Sequence, residues 1–154
     1  SGCSFKASKD AVVVHNMQSV NKHDGSISIN ARSNGLDITD IDFAKAIEES
    51  IIENDLFAKV IHGNGADYLL EVSIISIEKP VFGLDFTVNM EAAWSIKDPL
   101  NNKIIMRKAI KSSYTATFGD AFVGVKRLRL AIEGAIRKNI RLGLLDISTL
   151  QLTK

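Results

Sequence analysis

Three histidines, a lone cysteine and clustered aspartates are the groups in this 154-residue chain whose types could do chemistry. Metal binding and acid–base work need such groups to converge, and spacing is the first sign of convergence. His15, His23 and His62 lie far apart in the chain, and none stands at a metal-ligand spacing from another histidine or from cysteine. They read as surface imidazoles. Asp37, Asp40 and Asp42 lack the glycine and closing glutamate of a calcium loop, and helix capping accounts for them. The run Gly63-Asn64-Gly65-Ala66-Asp67-Tyr68 lacks a third glycine and leads into a strand pattern, so it is no phosphate cradle. There is no Gly-x-Ser-x-Gly elbow and no credible Cys–His pair. These residues nominate no catalytic centre, no metal and no cofactor.

Cys3 is the single cysteine, so no internal disulfide can form. It precedes a polar stretch, Lys6-Ala7-Ser8-Lys9-Asp10, with no apolar period to carry it into a core. The triplet Ser1-Gly2-Cys3 resembles the end of a bacterial lipobox, in which the cysteine takes the lipid. That resemblance implies cleavage just before Cys3, with Ser1 and Gly2 as signal-peptide remnants. The plainer alternative is an incidental cysteine or an added leader. One acyl chain anchors weakly, at about 0.8 kcal/mol per buried CH₂, and stable anchoring takes two or more. A diacylglyceryl, N-acyl cysteine supplies three. In the proteins that this triplet resembles, serine rather than aspartate after the cysteine favours transport to the outer membrane, and Ser4 stands there.

Composition sets the frame for these residues. With 45% hydrophobic and 24% charged side chains, the chain is globular rather than disordered. A net charge of +1 gives no global attraction to nucleic acid. No apolar run approaches the roughly 20 residues that span a bilayer as a helix.

Periodicity predicts an α+β domain: a curved antiparallel β-sheet, made of a long three-strand meander plus shorter N-terminal strands, with two helices packed on one face. Residues 1–9 read as a flexible tether, 10–147 as a single domain and 148–154 as a tail. Ala11-Val12-Val13-Val14 is β-branched and predicts a strand, and 26–30 predicts a second or edge strand. Thr39 with Asp42 approximates a capping box for a first helix, whose stripe is Phe43, Ile47 and Ile51. A short strand follows at 57–61. Strands are predicted at 66–78, 84–97 and 103–118. The apolar positions Leu84, Phe86, Val88, Met90, Ala92, Trp94 and Ile96 alternate with mostly polar ones, which gives one buried face. Ile104, Met106, Ile110, Tyr114, Ala116 and Phe118 answer it, with Lys108 breaking the row. Joining the faces pairs Trp94 with Met106, Met90 with Ile110 and Phe86 with Tyr114.

The second helix is predicted from about Ala121 to Leu145, capped by Asp120. Val125, Leu128, Ile132, Ala135, Ile136 and Leu142 form its stripe, and Asn139 inside it needs a partner if buried. Gly124, Gly134 and Gly143 each cost up to about 1 kcal/mol in a helix interior, which points to close packing. Lys126, Arg127, Arg137, Lys138 and Arg141 form a basic face, a candidate contact for anionic headgroups or an acidic partner. The plainer reading is a solvated face that happens to be cationic. At the strand-to-helix corner, Tyr114, Phe118 and Phe122 are either a packed corner or the lining of a lipid or peptide groove.

With these elements placed, the chain resembles the YajG-like group of outer-membrane lipoproteins of Gram-negative bacteria. That group is similar to the auxiliary lipoproteins of envelope ABC transporters. The resemblance spans roughly residues 3–145 and rests on Ser1-Gly2-Cys3, the element order, and Ser113-Tyr114-Thr115-Ala116-Thr117-Phe118 leading into Ala121-Phe122-Val123-Gly124. Asn30-Ala31-Arg32 is similar to an Asp-x-Arg element of such lipoproteins, with asparagine replacing aspartate. The resemblance implies a non-enzymatic, lipid-anchored domain on the periplasmic side of the outer membrane, with a binding or scaffolding role. Its implied partners are the membrane, through the N-terminal lipid on Cys3, and an envelope protein, with no nucleic acid. The alternatives are an accessory in envelope lipid trafficking with a lipid-binding groove, and a hydrolase with an unfamiliar site.

Overall fold

The long period-two segments form strands, and they lie side by side as the pattern requires. The computed structural model describes residues 6–18 and 20–153, so Ser1, Gly2 and Cys3 lie outside the described residues. Its elements are α1 (Lys9–Val12), β1 (His23–Arg32), α2 (Asp40–Glu53), β2 (Phe57–Val60), β3 (Tyr68–Glu78), β4 (Phe86–Asp98), β5 (Lys103–Ala116) and α3 (Gly124–Ser148). The five strands form one curved sheet in the order β2-β1-β3-β4-β5. The meander β3–β4–β5 is antiparallel, whereas β1 runs parallel to both β2 and β3. The sheet is therefore mixed, because α2 returns the chain across one face before β2 begins.

Both long helices cover the same face, α2 over β1 and β2, and α3 over β4 and β5. Beneath them Ile27, Leu70, Val72, Ile74, Val88, Ala92, Trp94 and Ile96 are buried. Alternate residues of β4, such as Thr87 and Asn89, face solvent on the open side. Thr39 caps α2 by accepting a hydrogen bond from Asp42 N at 3.1 Å.

Several local expectations change. The run 11–14 is not a strand: α1 ends at Val12, and Val13 and Val14 continue extended between the helices. Val14 N donates to Ser50 Oγ of α2 at 2.9 Å, so a side chain satisfies the backbone that a sheet would have paired. The β-branched run signals burial, and burial here is against helices. Packing begins earlier than the expected tether allowed, since Ala7 is buried and its N–H donates to Asp37 O at 2.6 Å. It also runs later, with Leu150 and Leu152 packed on the core.

The β4–β5 register moves by two residues. Trp94 faces Lys108, Met90 faces Ser112 and Phe86 faces Ala116. Asp98 pairs with Lys103, so the turn is longer than expected, and a bulge at Ile105 adds the second residue. Beyond the bulge the even shift keeps each side chain from Met106 onward on its expected face, whereas Ile104, before the bulge, stands opposite Lys97 and changes face. The shift does move the row off the core's ends. Leu84 precedes the strand and is exposed, as are Ile104, Tyr114 and Phe118 in part. Lys108 reaches Asp146 of α3 at 2.8 Å.

Helix α3 starts later than expected. Asp120 is not its cap: its carboxylate accepts from Thr117 N and Oγ1 at 2.7 and 3.0 Å, and Val123 sits at the N-cap with no side-chain bond. Val125 is exposed, while Ala131, Ile140, Leu144 and Ile147 join the buried stripe. Asn139 is fully buried and satisfied. Its Oδ1 accepts from Trp94 Nε1 at 2.9 Å, and its Nδ2 donates to Ile110 O at 3.0 Å and Ser112 Oγ at 3.2 Å. The helical glycines mark close approach: a β-carbon at Gly143 would overlap the Trp94 ring, and one at Gly134 the Tyr114 ring.

Candidate binding surfaces

The strand-to-helix corner is held from inside by Arg127. Its guanidinium carbon lies 4.4 Å from the Phe86 ring centroid and 5.3 Å from that of Phe118. One guanidinium nitrogen donates to Ala121 O at 3.0 Å. The residue is 6% exposed, so it cannot reach an outside partner and leaves the expected basic face. Aromatic faces and carbonyls offset the charge in place of a carboxylate. Among the described residues, Arg127 Nε is the buried side-chain nitrogen without a hydrogen-bond partner.

Around this anchor, Phe118 and Phe122 meet with centroids 5.2 Å apart. Phe118 N donates to Asp85 Oδ1 at 3.1 Å, which ties the corner to the β3–β4 loop. The Thr117 N–H and hydroxyl hold the Asp120 carboxyl below the usual carboxylate range. In the adjoining loop Val81, Phe82 and Leu84 are 92%, 86% and 71% exposed. The expected strands at 66–78 and 84–97 leave residues 79–83 as a plain connection. The missed signal is Val81-Phe82-Gly83-Leu84, three large apolar side chains where a turn ordinarily carries polar ones.

Tyr114 separates from the other two aromatics. Its ring lies over Gly134, with Arg137 at 5.5 Å from the centroid. Val13 and Val14 complete an apolar floor, and Arg137, Lys138 and Arg141 stand along the rim of a depression of about 440 Å³. Arg137 also donates to Ala11 O at 2.8 Å, so it is fixed rather than free. Of the expected basic set, then, Arg137, Lys138 and Arg141 gather, Lys126 sits apart near the start of α3, and Arg127 is inside.

The histidines do not converge. His15 and Glu53 are 2.7 Å apart, His62 and Glu48 2.8 Å, and His23 Nε2 lies 2.9 Å from Ile147 O. Asn30 and Arg32 open onto the uncovered sheet face beside Glu71 and Arg107, in a second depression of about 340 Å³.

No family model and no curated protein matches the chain. Solved structures do. A Xanthomonas campestris protein of the DUF330 family superposes with TM-score 0.72 at 9% identity, covering 89% of this chain and 91% of that one. A candidate lipoprotein from Caulobacter crescentus gives TM-score 0.57 at 17% identity, over 80% of this chain and 88% of that one. Rare lipoprotein B from Shewanella oneidensis gives 0.53 at 11% identity, over 80% and 94%. At these identities the likeness is one of fold, and this α+β fold is shared with bacterial lipoproteins.

Proposed function

We propose that the chain is the folded domain of a lipid-anchored envelope lipoprotein of the YajG-like type, facing the periplasm from the outer membrane and acting by binding or scaffolding. The observation that carries this reading is the burial of Ala7, four residues after Cys3. Four residues reach at most about 14 Å, so acyl chains on that cysteine would hold the domain against the membrane surface. The fold shared with lipoproteins supports the same reading. Metabolic labelling of the full-length protein with a palmitate analogue tests it. Wild type incorporates label and Cys3→Ala does not; an unlabelled wild type removes the anchor.

The Tyr114 depression favours a second reading, in which the domain takes up an amphiphile with an anionic head. Tyr114, Val13 and Val14 suit an acyl chain, and the exposed Lys138 and Arg141 suit the head. Native mass spectrometry of protein isolated from cells then shows a copurified lipid, and Lys138→Glu with Arg141→Glu strips it at least about tenfold. A lipid-free mass for the wild type contradicts this reading.

A further inference from the structure

We propose that the apolar end built from the 79–85 loop and the 117–123 corner is a lipid-contact surface, lodged among the headgroups of the membrane that holds the chain. The choice of occupant rests on the lipid-anchor reading. Three observations favour a lipid surface.

The first is position. Ala7 N donates to Asp37 O at 2.6 Å, and Asp37 pairs with Lys79 Nζ at 3.0 Å. Lys79 is two residues from Val81. The chain therefore enters the domain at the same end as the apolar tips, and Cys3 is three residues before Lys6. A lipid on Cys3 brings the bilayer to Phe82 and Phe122, not to the opposite end, where the β4–β5 turn lies.

The second is shape. Phe82 and Phe122 are 86% and 74% exposed, so they protrude rather than line a cleft. Protruding aromatic and aliphatic tips suit the boundary between headgroups and acyl chains. The Asp85–Phe118 hydrogen bond and the buried Arg127 keep the two loops in one rigid block.

The third is charge. The Asp85 and Asp120 carboxylates are both engaged by backbone N–H groups. Lys126 is exposed, and the N-terminal amides of α3 have no side-chain cap. Lys126 and the uncapped amides are what this end offers to anionic headgroups, while the Asp85 and Asp120 carboxylates keep their charge and are occupied by the corner's own backbone.

The test uses the full chain carrying Cys3→Ser, which removes any acyl group. It is mixed with vesicles of phosphatidylcholine and phosphatidylglycerol, and partitioning is read by sedimentation. The chain binds, and Phe82→Ser with Phe122→Ser weakens partitioning at least about tenfold, as the loss of two inserted rings requires. Both positions are exposed, so thermal unfolding should be unchanged. An environment-sensitive dye on Phe82→Cys shifts to the blue with vesicles, and the same dye on Leu100→Cys does not. Absence of vesicle binding, or equal binding by wild type and double variant, overturns the proposal. Self-association abolished by the same two substitutions also overturns it, by assigning the surface to a second copy of this chain. Because no acyl group is present, these outcomes are independent of palmitate labelling: the anchor can fail while the lipid contact stands, and the reverse.

Discussion

Gly143→Val should cost the domain about 3 kcal/mol or more, or prevent its folding, and even Gly143→Ala should destabilise it. Helix propensity alone predicts the opposite sign for alanine, a gain of about 1 kcal/mol in a helix interior. Packing decides the outcome. A β-carbon at position 143 would overlap the indole of Trp94, which is fully buried and cannot swing away. Overpacking a rigid core costs about 1–3 kcal/mol, and valine adds two further methyl groups and a stiff rotamer. Gly134 provides the internal comparison. A β-carbon there would meet Tyr114, which is 37% exposed and has solvent to move into. Gly134→Ala should therefore lose less than Gly143→Ala. Urea unfolding midpoints of the three variants check the order; a Gly143→Ala more stable than wild type would contradict it.

Asn139→Leu should cost about 3–5 kcal/mol, combining orphaned polar groups with a misfit side chain. The amide oxygen is the acceptor for Trp94 Nε1–H, and its nitrogen serves Ile110 O and Ser112 Oγ. Leucine leaves the indole N–H buried without a partner. The second variant separates causes: adding Trp94→Phe to Asn139→Leu removes the stranded donor. The double variant should lose less than the sum of the two single losses, because leaving one partner costs more than removing both. Trp94 is the only tryptophan, so its fluorescence reports on its own site in wild type and Asn139→Leu, and circular dichroism follows unfolding in the two variants that lack it. Strict additivity would mean that the indole–amide bond contributes nothing.

The legible parts of this fold were those dictated by period. Val88, Met90, Ala92, Trp94 and Ile96 alternate with residues that are polar except for Ala93, and all five are buried. Thr39 and Asp42 announced the start of α2, and the cap is there. Asn139 was recognisable as a buried amide because it interrupted an apolar stripe. What misled was chemistry with two structural solutions. Asp120 had the right type for a helix cap, but Thr117 offered its carboxylate two closer donors. Ala11 to Val14 had strand composition, but Ser50 and Asn54 of the α2 end satisfy its backbone at Val14. Parallel pairing of β1 could not be read at all, since direction depends on where the chain re-enters, not on the strand's own residues.

The binding surfaces were half legible for a similar reason. A helical wheel places Arg127 with Lys126, but a long side chain chooses its own direction, and Phe86 and Phe118 drew it inward. The aromatic corner was visible in the sequence, while its extension to Phe82 was not. Only the three-dimensional return of the 79–85 loop to Phe118 brings those segments together.

Mass spectrometry of the N-terminal peptide, taken from full-length protein purified out of envelope membranes, tests the anchored domain most directly. A peptide that begins at Cys3 and carries the mass of its acyl groups is the predicted result. A peptide that runs through position 3 with an unmodified thiol would contradict it.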